Sequence, residues 1–151
     1  MPNISRLKKK IIQKLGFDPN NVDECFNAVK KTPRSIQYIK NPTKRVQLEA
    51  VKQQAHFIQY INNPDEEIQL VAVKQNGLYI QYIKNPSEEA QLEAVEQDPY
   101  SIRFIKSPSI EVQKAAIHYS NYRLAVIALC PNWQDFEQEI ENNMMIKDII
   151  E

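Results

Sequence analysis

Glycine is nearly missing from this 151-residue chain, which has only two. Folds built from sheets and tight turns use glycine wherever the backbone must take positive φ, so its scarcity points to an all-helical chain. Cysteine is equally sparse. Cys25 and Cys130 make neither a disulfide framework nor a metal-ligand spacing, which reads as reduced thiols in an intracellular, cytoplasmic protein. Long apolar runs are absent as well, and the longest, Leu124 to Cys130, is far too short for a membrane span. The segment Met1-Pro2-Asn3-Ile4-Ser5 lacks the apolar core and cleavage site of a secretory signal. There is no glycine-rich phosphate loop and no zinc spacing, so no cofactor or metal is expected.

Net charge is lacking only in total. Residues 1–52 carry 12 Lys+Arg against 4 Asp+Glu, a net +8, and residues 53–151 carry 7 against 15, a net −8. Such polarity favours electrostatic steering of a partner, and it allows head-to-tail self-association as well as a monomer.

What the chain does have is a period. Pro42, Pro64, Pro86 and Pro108 stand 22 residues apart. The same interval links Ile36, Ile58, Ile80, Ile102 and Leu124, and also Ile39, Ile61, Ile83, Ile105 and Ile127. Ala28, Ala50, Ala72, Ala94 and Ala116 make a further column beside Val29, Val51, Val73, Val95 and Ile117. Each unit reads as two short helices, for example Ser35–Lys40 followed by Pro42–Gln53. Asn41, Asn63, Asn85 and Ser107 are then expected as caps, with proline at the first helical position. Glu66, Glu67, Glu88 and Glu89 fall in the first turn, where the helix dipole favours acids. Helices this short are marginal alone and must stack. The fold expected is all-α: a right-handed α-solenoid of about five 22-residue helical hairpins in a single domain. Residues 1–19 form a basic N-cap, 20–129 the repeats and 130–151 an acidic C-cap.

The caps are read from their apolar residues. Within residues 4–15, Leu7, Ile11, Ile12 and Leu15 alternate with basic residues as on an amphipathic helix, and Trp133, Phe136, Ile140, Met144, Ile149 and Ile150 are the packing groups expected at the other end.

Two polar or aromatic columns need an explanation. Gln47, Gln69, Gln91 and Gln113 fall on the apolar arc of the second helix, which predicts hydrogen bonds to backbone of the adjacent repeat, or else a polar stripe on a binding face. Tyr38, Tyr60, Tyr82 and Phe104 point away from the inward isoleucines, with Gln37, Gln59, Gln81 and Arg103 beside them. They are either a contact surface or rings packed between repeats with only the hydroxyls wet. A third set, Lys8, Lys9, Lys10, Lys14, Lys30, Lys31, Arg34, Lys44 and Arg45, is a candidate site for an anionic partner.

No catalytic constellation stands out. His56 falls in a loop, His118 in an exposed lysine column about three repeats away, and Cys25 in the interior column that Gln47 fills elsewhere. The chain is therefore not expected to be an enzyme.

The unit Asn85-Pro86-Ser87-Glu88-Glu89-Ala90-Gln91-Leu92-Glu93-Ala94-Val95 resembles the HEAT-like group of α-helical repeats. It is closer still to short helical repeats of unknown function in bacterial, phage and giant-virus proteins. The likeness spans roughly residues 20–129, and it implies a stacked superhelix that binds protein and offers no active-site residue to transfer.

Three functions are compatible with these features. The first is a non-catalytic protein–protein interaction module that uses one face of the stack. The second is an inhibitor carried by a phage or mobile element, blocking a bacterial defence complex such as a CRISPR effector. The third is nucleic-acid binding through the basic N-terminal half.

Overall fold

In a computed structural model of the chain, residues 10, 12–121, 123–131 and 134 are described. Among them there is no strand. Ten-residue α-helices recur as α1 (Val22–Lys31), α2 (Lys44–Gln53), α3 (Glu66–Gln75), α4 (Glu88–Gln97) and α5 (Ile110–Tyr119). Between them lie six-residue 3-10 helices, η1 (Pro33–Tyr38), η2 (Ala55–Tyr60), η3 (Gly77–Tyr82) and η4 (Pro99–Phe104). A shorter helix, α6 (Arg123–Ile127), follows α5. Residues 12–15 are also helical and end at Gly16, whose N–H reaches the Ile12 carbonyl at 2.8 Å. Gly16 has φ +77°, the left-handed conformation that suits glycine just past a helix end. Leu7, Lys8, Lys9 and Ile11 of the expected N-terminal helix lie outside the described residues, as do Trp133 and the apolar residues of the expected C-cap from Phe136 onward.

The helix starts differ from the sequence expectation. Helices α2 to α5 each begin two residues beyond their proline, α1 begins three beyond Pro19, and the side-chain caps are Asn21, Asp65, Ser87 and Ser109 rather than Asn41, Asn63, Asn85 and Ser107. Their side-chain oxygens accept N–H groups of the first turn, as at Asp65 Oδ1 to Ile68 N, 3.1 Å, while Thr43 occupies the same place without that bond. The proline is displaced because its carbonyl has another task. Nε2 of Gln47, Gln69, Gln91 and Gln113 donates to the carbonyl of Pro42, Pro64, Pro86 and Pro108 at 2.7, 2.9, 3.0 and 3.1 Å. Through these donors the glutamine column ties each helix to its own entry loop. Gln69 also reaches onward, its Oε1 accepting Ser87 N–H at 2.8 Å. Asn63 has φ +51°, a left-handed conformation that asparagine tolerates better than most residues.

One extended residue joins each α-helix to the 3-10 helix that follows. Thr32, Gln54, Asn76 and Asp98 give their N–H to the carbonyl of Ala28, Ala50, Ala72 and Ala94, completing the α-helix. Asn76 and Asp98 then turn their side chains forward to accept Leu78 N and Tyr100 N, both at 2.9 Å, starting the next element. The first hairpin helix is therefore a 3-10 helix starting at Pro33, two residues before the expected Ser35, and His56 lies within η2 rather than in a loop.

Packing follows the columns. Ile36, Ile58, Ile80 and Ile102 are at most 1% exposed, and Ala50, Val51, Ala72, Val73, Ala94 and Val95 are wholly buried. Each fully buried isoleucine or valine contributes about 1.5–3 kcal/mol, which is what holds helices too short to persist alone. Each helix packs on the next of its kind, α1 to α6 in series and η1 to η4 in series. A second glutamine column adds bonds between neighbours. Gln53 Nε2 donates to the Lys30 carbonyl at 3.2 Å and Gln75 Nε2 to that of Val51 at 2.9 Å, satisfying carbonyls at the end of the preceding α-helix. The alanine column allows close approach. A Cβ placed on Gly77 would stand 2.2 Å from the Ala94 carbonyl oxygen, so only glycine fits there.

Candidate functional site

A 3-10 helix has three residues per turn, so side chains at i and i+3 eclipse one another. Each η element therefore has three faces. The first, Ala55 and Ile58 in η2, points into the core. The second carries Gln37, Gln59, Gln81 and Arg103. The third carries the tyrosine column and, three residues before each member, a second column of Ser35, Phe57, Tyr79 and Ser101.

On that third face Tyr38, Tyr60 and Tyr82 are 54%, 37% and 41% exposed, large values for aromatic side chains. Phe104 is half-buried, with the Arg103 guanidinium 4.6 Å from its ring centroid. In η2 and η3 the eclipsed geometry brings paired rings together. Phe57 and Tyr60 have centroids 6.2 Å apart, and Tyr79 and Tyr82 lie at 6.3 Å, with interplanar angles of 29° and 28°. Each of the two adjacent elements thus carries a ring pair, with buried Phe57 beside exposed Tyr60 and half-buried Tyr79 beside exposed Tyr82. The sequence reading named the outer rings but missed Phe57 and Tyr79. The signal was a spacing of three, visible only once the segments are treated as 3-10 helices. Gln59, Gln81 and Arg103 are exposed beside the rings, and Gln37 is half-buried.

The candidate cations divide. Lys10, Lys14, Lys30, Lys31 and Arg34 are exposed, while Lys8 and Lys9 lie outside the described residues. Lys44 is engaged between Asp65 at 3.0 Å and Glu67 at 2.6 Å, linking the start of α2 to that of α3. Hydrogen bonds to Glu67 and Asp65 hold the Lys44 ammonium above its usual pKa. Partial burial alone would raise the Asp65 carboxyl, but Lys44 and the Ile68 N–H outweigh it and hold the group below its ordinary value. The Arg45 guanidinium lies 3.8 Å from the Phe26 ring centroid, a cation–π contact. The structure thus ties Lys44 and Arg45 into local contacts and leaves Lys30, Lys31 and Arg34 at the junction between α1 and η1.

Two grooves open along the α-to-η junctions. One, of about 520 Å³, runs between the starts of η1 and η2 and reaches Tyr60. Another, of about 440 Å³, lies further along, lined by Asn76, Gly77, Asp98, Tyr100 and Tyr119. A smaller hollow of about 260 Å³ sits at the opposite, η-to-α side between Cys25, Ile39 and Pro42.

Chemistry that requires an ionised nucleophile is disfavoured at both thiols. Burial, reinforced by Asp18 and Glu24, raises the Cys25 thiol pKa, and burial pushes Cys130 up to about 11. Among the described residues no group of three or more His, Cys, Asp or Glu is placed to hold a metal, and no helix is long and apolar enough to cross a membrane. No protein-family model matches the chain, and neither curated proteins nor solved structures give a match.

Proposed function

We propose that the chain is a right-handed α-solenoid of five 22-residue repeats that works as a non-catalytic protein-binding module, with the tyrosine face of its 3-10 helices as the contact surface. The observation that carries this reading is the exposure of Tyr38, Tyr60 and Tyr82, at 54%, 37% and 41%, at one position of successive units. Tyrosine combines a large apolar body with a polar tip and few rotatable bonds, which is why it is favoured where proteins meet. The adjacent Phe57 and Tyr79 hold Tyr60 and Tyr82 in place, lowering the ordering cost on binding.

Capture of partners from a cell lysate tests this, comparing the wild type with a folded Tyr38→Ala/Tyr60→Ala/Tyr82→Ala variant. A specific protein retained by the wild type and lost by the variant is the expected result. Equal retention of the same protein by both would remove the tyrosine face from the binding site.

A further inference from the structure

The groove between η1 and η2 has a composition that identifies the charge of what it takes. Its walls are Thr32, Pro33, Arg34, Gln54, His56 and Phe57, with Tyr60 at its edge, and no acidic residue lines it. Lys30 and Lys31 end α1 and Lys52 stands in the last turn of α2, the two helices that lead into this groove. All three lysines and Arg34 are exposed, and none forms an ion pair among the described residues, whereas Lys44 and Lys74 do. Cations at helix C-termini are favoured by the dipole, but that effect does not call for Arg34, which starts a 3-10 helix. The excess of positive charge is therefore unbalanced at one end of the tyrosine face.

The excess is also local. At the positions equivalent to Lys52, α3 has Lys74, already 3.8 Å from Glu93, and α4 has Glu96. At the positions equivalent to Arg34 and His56, η3 and η4 have Leu78 and Tyr100. A nucleic-acid strand tracking along the rings would need cations along its whole path. Here Lys30, Lys31, Arg34 and Lys52 crowd the first groove, the face over η2 and η3 continues as rings and glutamine amides, and a cation returns beside the rings at Arg103.

We propose that the partner docks as a peptide segment with an acidic end and an apolar or aromatic body. Its carboxylates enter the groove at Arg34 and His56, and its body lies over Tyr60 and onward to Tyr82. This rests on the tyrosine face being the binding surface. Arg34 offers the forked donors that match a carboxylate, Tyr60 bounds the groove where acidic end and body join, and exposed Gln59 and Gln81 can bond the peptide backbone.

A random peptide library displayed on phage and panned against the full-length chain tests this. The most enriched peptide is then titrated by fluorescence anisotropy against the wild type, Arg34→Glu/Lys52→Glu and Tyr82→Ala. Circular dichroism confirms that each variant folds, as expected for exposed positions. The expected result is enrichment of sequences with adjacent acids followed by an aromatic or aliphatic residue. Affinity should fall about tenfold or more on charge reversal, and should also fall in Tyr82→Ala. Peptides without acids, or peptides indifferent to charge reversal but lost in Tyr82→Ala, would overturn the acidic-segment inference and leave the tyrosine face standing. No enrichment, or binding indifferent to Tyr82→Ala, would overturn both. Single-stranded oligothymidylate that binds more tightly than the peptide, and is lost on charge reversal, would assign the groove to nucleic acid and overturn the inference.

Discussion

Gln69 Oε1 accepts the backbone N–H of Ser87 at 2.8 Å while its Nε2 donates to the Pro64 carbonyl at 2.9 Å, so one buried amide joins the entry loop of α3 to that of α4. Gln91 makes the equivalent inner bond to Pro86, but its Oε1 finds no donor among the described residues. The two positions should therefore respond differently to the same substitution. Gln69→Leu leaves the part-buried Ser87 N–H and the buried Pro64 carbonyl unpaired, at a cost of about 1–3 kcal/mol for the carbonyl and less for the N–H, which water can reach. Gln91→Leu strands only the Pro86 carbonyl and also removes an unpaired oxygen. Urea unfolding followed by circular dichroism should rank Gln69→Leu as the more damaging change.

Gly77 makes the second prediction. A methyl group there collides with the Ala94 carbonyl at 2.2 Å, a backbone atom that cannot swing aside. Gly77→Ala should destabilise by about 1–3 kcal/mol, although alanine ordinarily suits helices better than glycine. At the equivalent place in η2 the chain already has a buried Ala55, so the penalty belongs to the contact between η3 and α4 and not to the position in general. A rise in melting temperature for Gly77→Ala would contradict the packing described.

Asp65 serves both as cap of α3 and as ion-pair partner of Lys44, and the two roles separate by mutation and pH. Its folded pKa is lowered, so its ionised form stabilises the fold above the unfolded value near 4, and that contribution is lost as pH falls through the lower folded value. Asp65→Ala should cost about 1 kcal/mol at neutral pH through loss of the cap. Asp65→Asn keeps a capping oxygen and should cost less, since an exposed ion pair contributes at most about 1 kcal/mol. Its melting temperature should also depend less on pH between about 5 and 3 than that of the wild type. Equal acid sensitivity in the two proteins would show that other carboxylates govern the acid limb.

Both thiols should react slowly in the folded protein. Burial raises each pKa, Cys130 to about 11, which leaves little thiolate near neutral pH. Alkylation followed by mass spectrometry should show both cysteines protected until denaturant is added. Rapid labelling of Cys130 in native buffer would mean that its surroundings open readily.

Much of the fold was legible because the interior repeats its residue types. Ile36, Ile58, Ile80 and Ile102 mark one buried column, and Ala50 with Val51 and their counterparts mark another, so the inward faces follow from the period alone. The helix boundaries were less legible. Proline is welcome at a first helical position, and that general preference hid the local use of the Pro42 carbonyl as acceptor for Gln47. The better signal stood one residue on, in the column Asn21, Thr43, Asp65, Ser87 and Ser109, all residues able to cap. At the site, the outer rings could be named from the sequence but not their exposure, which depends on how closely neighbouring elements approach. Phe57 beside Tyr60 was hidden because steps of 100° per residue describe an α-helix, whereas η2 closes its turn every three residues.

The central claim, that Tyr38, Tyr60 and Tyr82 form the partner-binding surface, is tested most directly by calorimetric titration of the purified captured partner into wild type and into the triple alanine variant at matched fold content. Truncating buried interface aromatics typically costs about 1–2 kcal/mol or more each, so the account predicts an affinity loss of about a hundredfold or greater. Affinities within about twofold of each other, well under 1.4 kcal/mol apart, would contradict it and place the binding surface elsewhere on the molecule.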